Sequence, residues 1–184
     1  MIISLFLGLK RDIIIENYFM KRKNIMYAYT LGFIKRKDEI LLVNRIKNPW
    51  MGSWNGVGGK ISEGETPLSG MIREIDEETN IKVTPNQIKD KGILTWENFD
   101  AIGNGLHIFL IEVEDSFEYI TPINTDEGIL AWKNISWINN FENHGIAENI
   151  PYFLPTVLEE EKRYHYHCVF KGKYLVSVTK KEMN

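Results

Sequence analysis

GGKISEGETPLSGMIREIDEETNI, residues Gly58 to Ile81, places four acids within five positions: Glu74, Asp76, Glu77 and Glu78. Thr66 suits a helix N-cap and Pro67 the first helical position, because a threonine oxygen accepts a bond from an otherwise orphaned N–H and proline has no N–H to orphan. Asn80 tolerates the left-handed conformation that ends a helix. The spacing therefore predicts a helix over Pro67 to Thr79. At roughly 100° per residue, Leu68, Met71, Ile72 and Ile75 form one apolar stripe, expected to face the core. Glu74, Glu77 and Glu78 fall on a neighbouring face, with Arg73 one turn before Glu77. A solvated face is the ordinary explanation of such charges. Carboxylates stacked at i and i+4 nonetheless weaken a helix unless a cation neutralises them, and late in a helix the macrodipole disfavours negative charge. A positive partner is expected there. Hard carboxylate oxygens beside the carbonyl of a glycine turn suit magnesium, which keeps waters and bridges to substrate phosphates.

Outward from this helix, YTLGFIKRKDEILLVNRI (residues 29–46) gives two apolar runs around the polar turn Lys35 to Glu39, the pattern of a β-hairpin. NPWMGSWNGVGG (48–59) reads as a loop. KGILTWENF (91–99) and GLHIFLIEVE (105–114) read as strands joined by the turn DAIGNG. NTDEGILAWKNISWI (124–138) reads as a loop, a short strand and a turn, and ENIPYFLPTVLEEEKRY (148–164) as a helix begun by Asn149 and Pro151. HYHCVFKGKYLVSV (165–178) closes the chain as a hairpin around Lys171 to Lys173. Strands and helices mixed without regular βαβ alternation point to an α+β domain.

Composition narrows the function. At 184 residues and 43% hydrophobic, the chain fits one globular domain with a full core, read as residues 26–184. Residues 1–25 read as a flexible N-terminal extension, since the apolar run at the start breaks at Lys10, too early to span a membrane, and no positive charge precedes it as in an export signal. A net charge of -3 argues against a nucleic-acid polymer or an anionic membrane as partner. One cysteine, Cys168, cannot form an intramolecular disulfide, which suits a cytoplasmic location. Strand alternation sets His165 and His167 on one face and Cys168 on the other, so HYHC is not read as a zinc site.

Gly59, Glu65, the run Arg73-Glu74-Ile75-Asp76-Glu77-Glu78, and Ile81 resemble the Nudix box, the signature of hydrolases of nucleoside diphosphates linked to another group. Asn80 stands where that pattern has its last glycine. The likeness extends through WNGVGGK (54–60), DEGILAW (126–132) and the closing hairpin, over about Ala28 to Val178, and is similar to MutT-type 8-oxo-dGTP diphosphatases. It implies an α/β/α sandwich around a mixed sheet, and hydrolysis of an oxidised purine nucleoside triphosphate to the monophosphate and pyrophosphate. Other small nucleotide substrates, such as ADP-ribose or a dinucleoside polyphosphate, and a non-catalytic nucleotide-sensing module are the alternatives; a monomer or a dimer is compatible with all of them.

The resemblance also implies roles. Glu74, Glu77 and Glu78 with the Gly59 carbonyl would hold Mg2+, with Mn2+ as a substitute, and Arg73 would orient the carboxylates. Lys60 and Arg45 are candidates for the phosphates. Glu65 would serve the Arg73 network or favour the helix dipole. Glu74 or Glu127 would act as general base, with Asp126 as rival to Glu127 and an ordinary turn residue as the alternative for both. Asn55 and Asn149 would read the purine edge, since an amide both donates and accepts; their alternatives are a turn residue and a helix N-cap. Trp96 or Phe99 would stack on the base or belong to the core.

Overall fold

The computed structural model describes residues 27–98 and 105–184. The turn DAIGNG, Phe99 and the N-terminal extension therefore lie outside the described residues, wholly or nearly so. In chain order the elements are β1 (Tyr29–Arg36), β2 (Glu39–Arg45), β3 (Trp54–Asn55), α1 (Pro67–Thr79), a 3-10 turn (Pro85–Gln87), β4 (Ile88–Glu97), β5 (Gly105–Glu112), β6 (Ile123–Thr125), β7 (Gly128–Asn134), α2 (Ile135–Ile138), α3 (Ile150–Glu159), β8 (Tyr164–Lys171) and β9 (Tyr174–Glu182). The strands form one mixed sheet in the order β6-β7-β2-β1-β5-β4-β8-β9, with β3 added to β2. β1 runs parallel to β5 and β4 parallel to β8, and the other pairings are antiparallel.

Alternation along the strands supplies two apolar faces, and a helix covers each. Ile34, Leu41, Val43, Phe109 and Ile111 pack with Met71 and Ile75 of α1. Phe33, Ile40, Leu42, Leu94, Leu110 and Tyr166 pack with Phe153, Leu154 and Val157 of α3 on the other side. The sandwich expected from the resemblance is what forms. Gly32 of β1 makes the seat for α1: a Cβ there would lie 2.8 Å from Met71 Sδ. One detail differs from the expected stripe. Met71 and Ile75 are fully buried, but Leu68 is 36% exposed and Ile72 half-buried. The buried ridge instead runs through Gly70 and Thr79, whose hydroxyl is satisfied by donating to the Ile75 carbonyl at 2.6 Å, so a polar residue can replace an apolar one on the core face.

Candidate active site

α1 starts and stops as its sequence dictates. Thr66 Oγ1 accepts the Ser69 N–H at 3.1 Å and Ser69 Oγ accepts the Thr66 N–H at 2.9 Å, a reciprocal cap. Asn80 takes the left-handed conformation (φ 56°) and donates its N–H to the Asp76 carbonyl at 2.8 Å, the service a glycine would have rendered there. The acidic face is thereby fixed over the Gly58–Gly59 turn.

Arg73 is the hub of that face. Its Nε and Nη2 fork onto the two oxygens of Glu65 at 2.8 and 2.9 Å, its Nη1 donates to Glu74 at 2.8 Å and to Glu77 at 2.9 Å, and its Nη2 reaches the Lys60 carbonyl at 3.0 Å. These bonds make the guanidinium harder still to deprotonate. Glu65 thus belongs to the Arg73 network: the Arg73 bonds, helped by the Ser62 N–H, hold its carboxyl down at about 2.

Glu74 and Glu78 lie deeper. Burial raises the pKa of Glu74 against the pull of Arg73, and its carboxylate is seated on Gly59, where a Cβ would lie 2.5 Å from Oε2. Glu78 is pushed up to about 8, by burial first and then by Glu74 and Glu127, against the opposing effects of the Gly58 N–H and Arg45. That N–H donates to Glu78 Oε2 at 3.3 Å. Glu127, at the β6–β7 turn, therefore acts electrostatically on Glu78, while its rival Asp126 is exposed. Arg45 is in register with Gly128, beside Glu127, and its Nε donates to the Pro49 carbonyl at 3.1 Å. The Lys60 side chain is exposed next to the turn.

The expected metal donors are arranged as follows. The Gly59 carbonyl, proposed as a metal donor, already accepts the Thr30 N–H at 2.8 Å in the sheet, with Thr30 Oγ1 at 3.4 Å, so it offers a cation only a remaining lone pair. The carboxylates also do not yet meet at one point. Among the described residues no three acids, histidines or cysteines are gathered tightly enough to hold a metal ion. The reason is Arg73, the nearest cation, which draws Glu74 and Glu77 onto itself while Glu78 turns to Gly58. The donor chemistry nevertheless fits a hard dication: buried carboxyl oxygens, mutually repelling, with Glu77 60% exposed and able to rotate.

The base-reading candidates are separated. Asn55 is in register with Val43 and so on the α1 side; its Oδ1 accepts the Gly56 N–H at 2.9 Å, which leaves the NH2 to offer. Asn149 is buried on the α3 side, its Nδ2 directed at Cys168 Sγ at 3.9 Å, and it makes no side-chain cap on α3. Asn149 thus holds the N-cap position of α3, but its side chain does not serve as the cap. Trp96 packs against the α3-side core, as the core alternative required. His165 and His167 point at Thr95 Oγ1, each at 2.8 Å, away from the buried Cys168.

Sequence reasoning missed Lys47, whose Nζ lies 2.6 Å from Glu127 Oε1. It also missed a cavity of about 310 Å³ lined by Trp50, Ser53, Phe141, Tyr152, Lys173 and Tyr174 among others. Its residues come from three separated segments, and no local pattern joins them. Ser53, which lines it, accepts the backbone N–H of Arg45 at 3.1 Å.

The Nudix domain profile matches residues 26–156. This chain belongs to the Nudix family. It is 40% identical over 140 residues to the oxidized purine nucleoside triphosphate hydrolase of Mus musculus, an alignment covering 73% of this chain and 81% of that one. It is 33% identical over 81 residues to the 8-oxo-dGDP phosphatase of Homo sapiens, covering 42% of this chain but only 25% of the relative's length. The crystal structure of the mutator MutT protein from Bacillus halodurans superposes with a TM-score of 0.64 over 83% of this chain and 95% of that one, at 24% identity, a likeness of fold. Among the described residues of this Nudix chain no helix is long and apolar enough to cross a membrane.

Proposed function

We propose that this protein is a Mg2+-dependent Nudix pyrophosphohydrolase, able to use Mn2+, that converts oxidised purine nucleoside triphosphates such as 8-oxo-dGTP to the monophosphate and pyrophosphate in the cytoplasm. The observation that carries the reading is the gathering of Glu74, Glu77 and Glu78 around Arg73 and the Gly58–Gly59 turn on one face of α1, where burial pushes the Glu78 carboxyl up to about 8. A fold tolerates so unfavourable a carboxylate where function requires it. The match to the mouse hydrolase over most of the chain supports the substrate class.

Glu74, Glu77 and Glu78 would hold the divalent ion, with the glycine turn beneath them. When bound, the ion supplies charge neutralisation of the triphosphate, polarisation of the attacked phosphorus and a lowered pKa for attacking water. Arg73 keeps Glu74 and Glu77 on one side of α1. Lys60 and Arg45 approach phosphate oxygens, and Glu74 or Glu127 accepts the water proton. Asn55 offers its NH2 to the base, and Asn149, on the other face of the sheet, would reach it only by turning its amide away from Cys168. A chain of net charge -3 can bind a polyanion because the divalent ion would neutralise the triphosphate.

The test is a panel of 8-oxo-dGTP, dGTP, 8-oxo-dGDP and ADP-ribose with purified protein and Mg2+, with products resolved by chromatography. Pyrophosphate from 8-oxo-dGTP at the highest kcat/KM is expected. Orthophosphate as product, or preference for ADP-ribose, would overturn the substrate assignment. Absence of turnover would favour a nucleotide sensor.

A further inference from the structure

The loop between β2 and β3 brings a second cation to the acid cluster. Lys47 Nζ is 2.6 Å from Glu127 Oε1, and the N–H of the preceding residue, Ile46, donates to the Glu127 carbonyl at 3.1 Å. Glu127 is thus held by backbone and by carboxylate to two consecutive residues of one loop. The same loop supplies Trp50 and Ser53 to the cavity wall. Lys47 differs from Arg45 in what binds it. The Arg45 guanidinium is oriented by its Nε bond to the Pro49 carbonyl, whereas the Lys47 ammonium, with its side chain 54% exposed, is a mobile point charge on a flexible stem. Exposed ion pairs of this kind are weak, so a polyphosphate competes with Glu127 for the ammonium.

We infer that Lys47 is a positioning residue that holds the Glu127 carboxylate on the loop side of the acid cluster, until a polyphosphate recruits the ammonium and releases the carboxylate toward Glu78. The inference rests on the proposed reading of Glu127 as part of the hydrolytic machinery. Lys47 then does two things in succession: it screens a surplus carboxylate while the site is empty of nucleotide, and it contacts the substrate once nucleotide arrives.

The experiment measures Mn2+ binding to nucleotide-free protein, from the electron paramagnetic resonance signal of free Mn2+, for the wild type, Lys47→Met, Lys47→Arg, Glu127→Gln and the Lys47→Met/Glu127→Gln double variant. Turnover of 8-oxo-dGTP with Mg2+ is measured alongside. Lys47→Met is expected to release Glu127 and tighten Mn2+ binding about two- to fivefold, the range an exposed pair allows. Lys47→Arg should return to wild type, and the double variant should bind Mn2+ as Glu127→Gln does. Unchanged Mn2+ affinity in Lys47→Met overturns the inference. So does an equal tightening in the Glu127→Gln background, which would show that Lys47 acts by bulk charge and not through Glu127. If Glu127→Gln keeps wild-type turnover, the catalytic reading of Glu127 fails and the inference falls with it; impaired Glu127→Gln beside an inert Lys47→Met overturns the inference alone.

Discussion

Gly58 and Gly59 are neighbours, yet alanine is expected to fail in different ways at the two positions. At Gly59 an added Cβ would lie 2.5 Å from Glu74 Oε2 and 2.6 Å from its Cδ, against 3.4 Å or more for ordinary contact. The carboxylate would have to retreat by about 1 Å, and it is held the other way by Arg73 Nη1 at 2.8 Å. A side-chain end can move, so the fold survives. Weakening one charge-assisted bond costs about 1–2 kcal/mol, or a Tm loss of roughly 2–8 °C in a domain of this size. Misplacing a reacting group by ~1 Å lowers the rate about 10²-fold. At Gly58 the added Cβ would lie 2.4 Å from the Thr30 carbonyl oxygen, backbone of a central strand, at a φ of +145°. Backbone strain of about 1–3 kcal/mol joins an overpacking cost of similar size, so a Tm loss of roughly 8 °C or more is expected. Thermal melts and initial rates of pyrophosphate release on both variants separate the outcomes. Gly59→Ala with wild-type rates would show that the seat of Glu74 is irrelevant to turnover. Gly58→Ala melting with the wild type would refute the packing argument.

Glu78→Gln should reduce turnover by about two orders of magnitude or more. With chelator present the same variant tests the buried carboxyl: from its ordinary 4.5 up to about 8 the folded chain keeps a proton that the unfolded chain has lost, so stability present below 4.5 drains as pH rises through 8. Urea titrations from pH 5 to 9 should show the wild type losing on the order of 2–4 kcal/mol relative to Glu78→Gln, and parallel curves would refute the assignment. Glu65→Gln spoils the fork on Arg73 and should lower turnover about 10–100-fold with an intact fold by circular dichroism; wild-type kinetics would remove Glu65 from the network. Thr95→Val deprives His165 and His167 of their shared hydroxyl and should cost about 1–2 kcal/mol in a urea titration at pH 7. An unchanged midpoint would mean that water replaces the hydroxyl fully.

α1 was legible because its signals are local. Thr66, Pro67 and Asn80 each act within a few bonds of their own backbone, and all three behave as their chemistry requires. The two apolar faces of the strands were legible for the same reason. The strand order was not: β1 pairs with β5, and β8 with β4, across some 70 residues in each case, and alternation says which face a residue joins but not which strand lies beside it. Asn149 shows the limit from another direction. An asparagine just ahead of a helix reads as a cap, but here the amide is drawn into the α3-side core by Cys168, a contact made 19 residues away. Lys47 and the cavity aromatics escaped because a single charge or ring in a loop has no period to betray it.

The four acids that open the problem are neutralised unequally, and the inequality identifies the site. Asp76 is taken by Lys82, whose Nζ lies 2.5 Å from both its oxygens, and its place in the run is structural. Glu74 and Glu77 share Arg73. Of the four, Glu78 alone has an N–H and no cation in hydrogen-bond contact, although it is the one most affected by burial. An amphipathic helix selected for stability alone would place a small apolar residue or a threonine there, as Thr79 one position on demonstrates. Carboxylates retained against burial, like-charge repulsion and the helix dipole together mark a position where local stability has yielded to chemistry. On the reading proposed above, a divalent cation would supply the positive charge that Glu78 lacks among its hydrogen-bond partners.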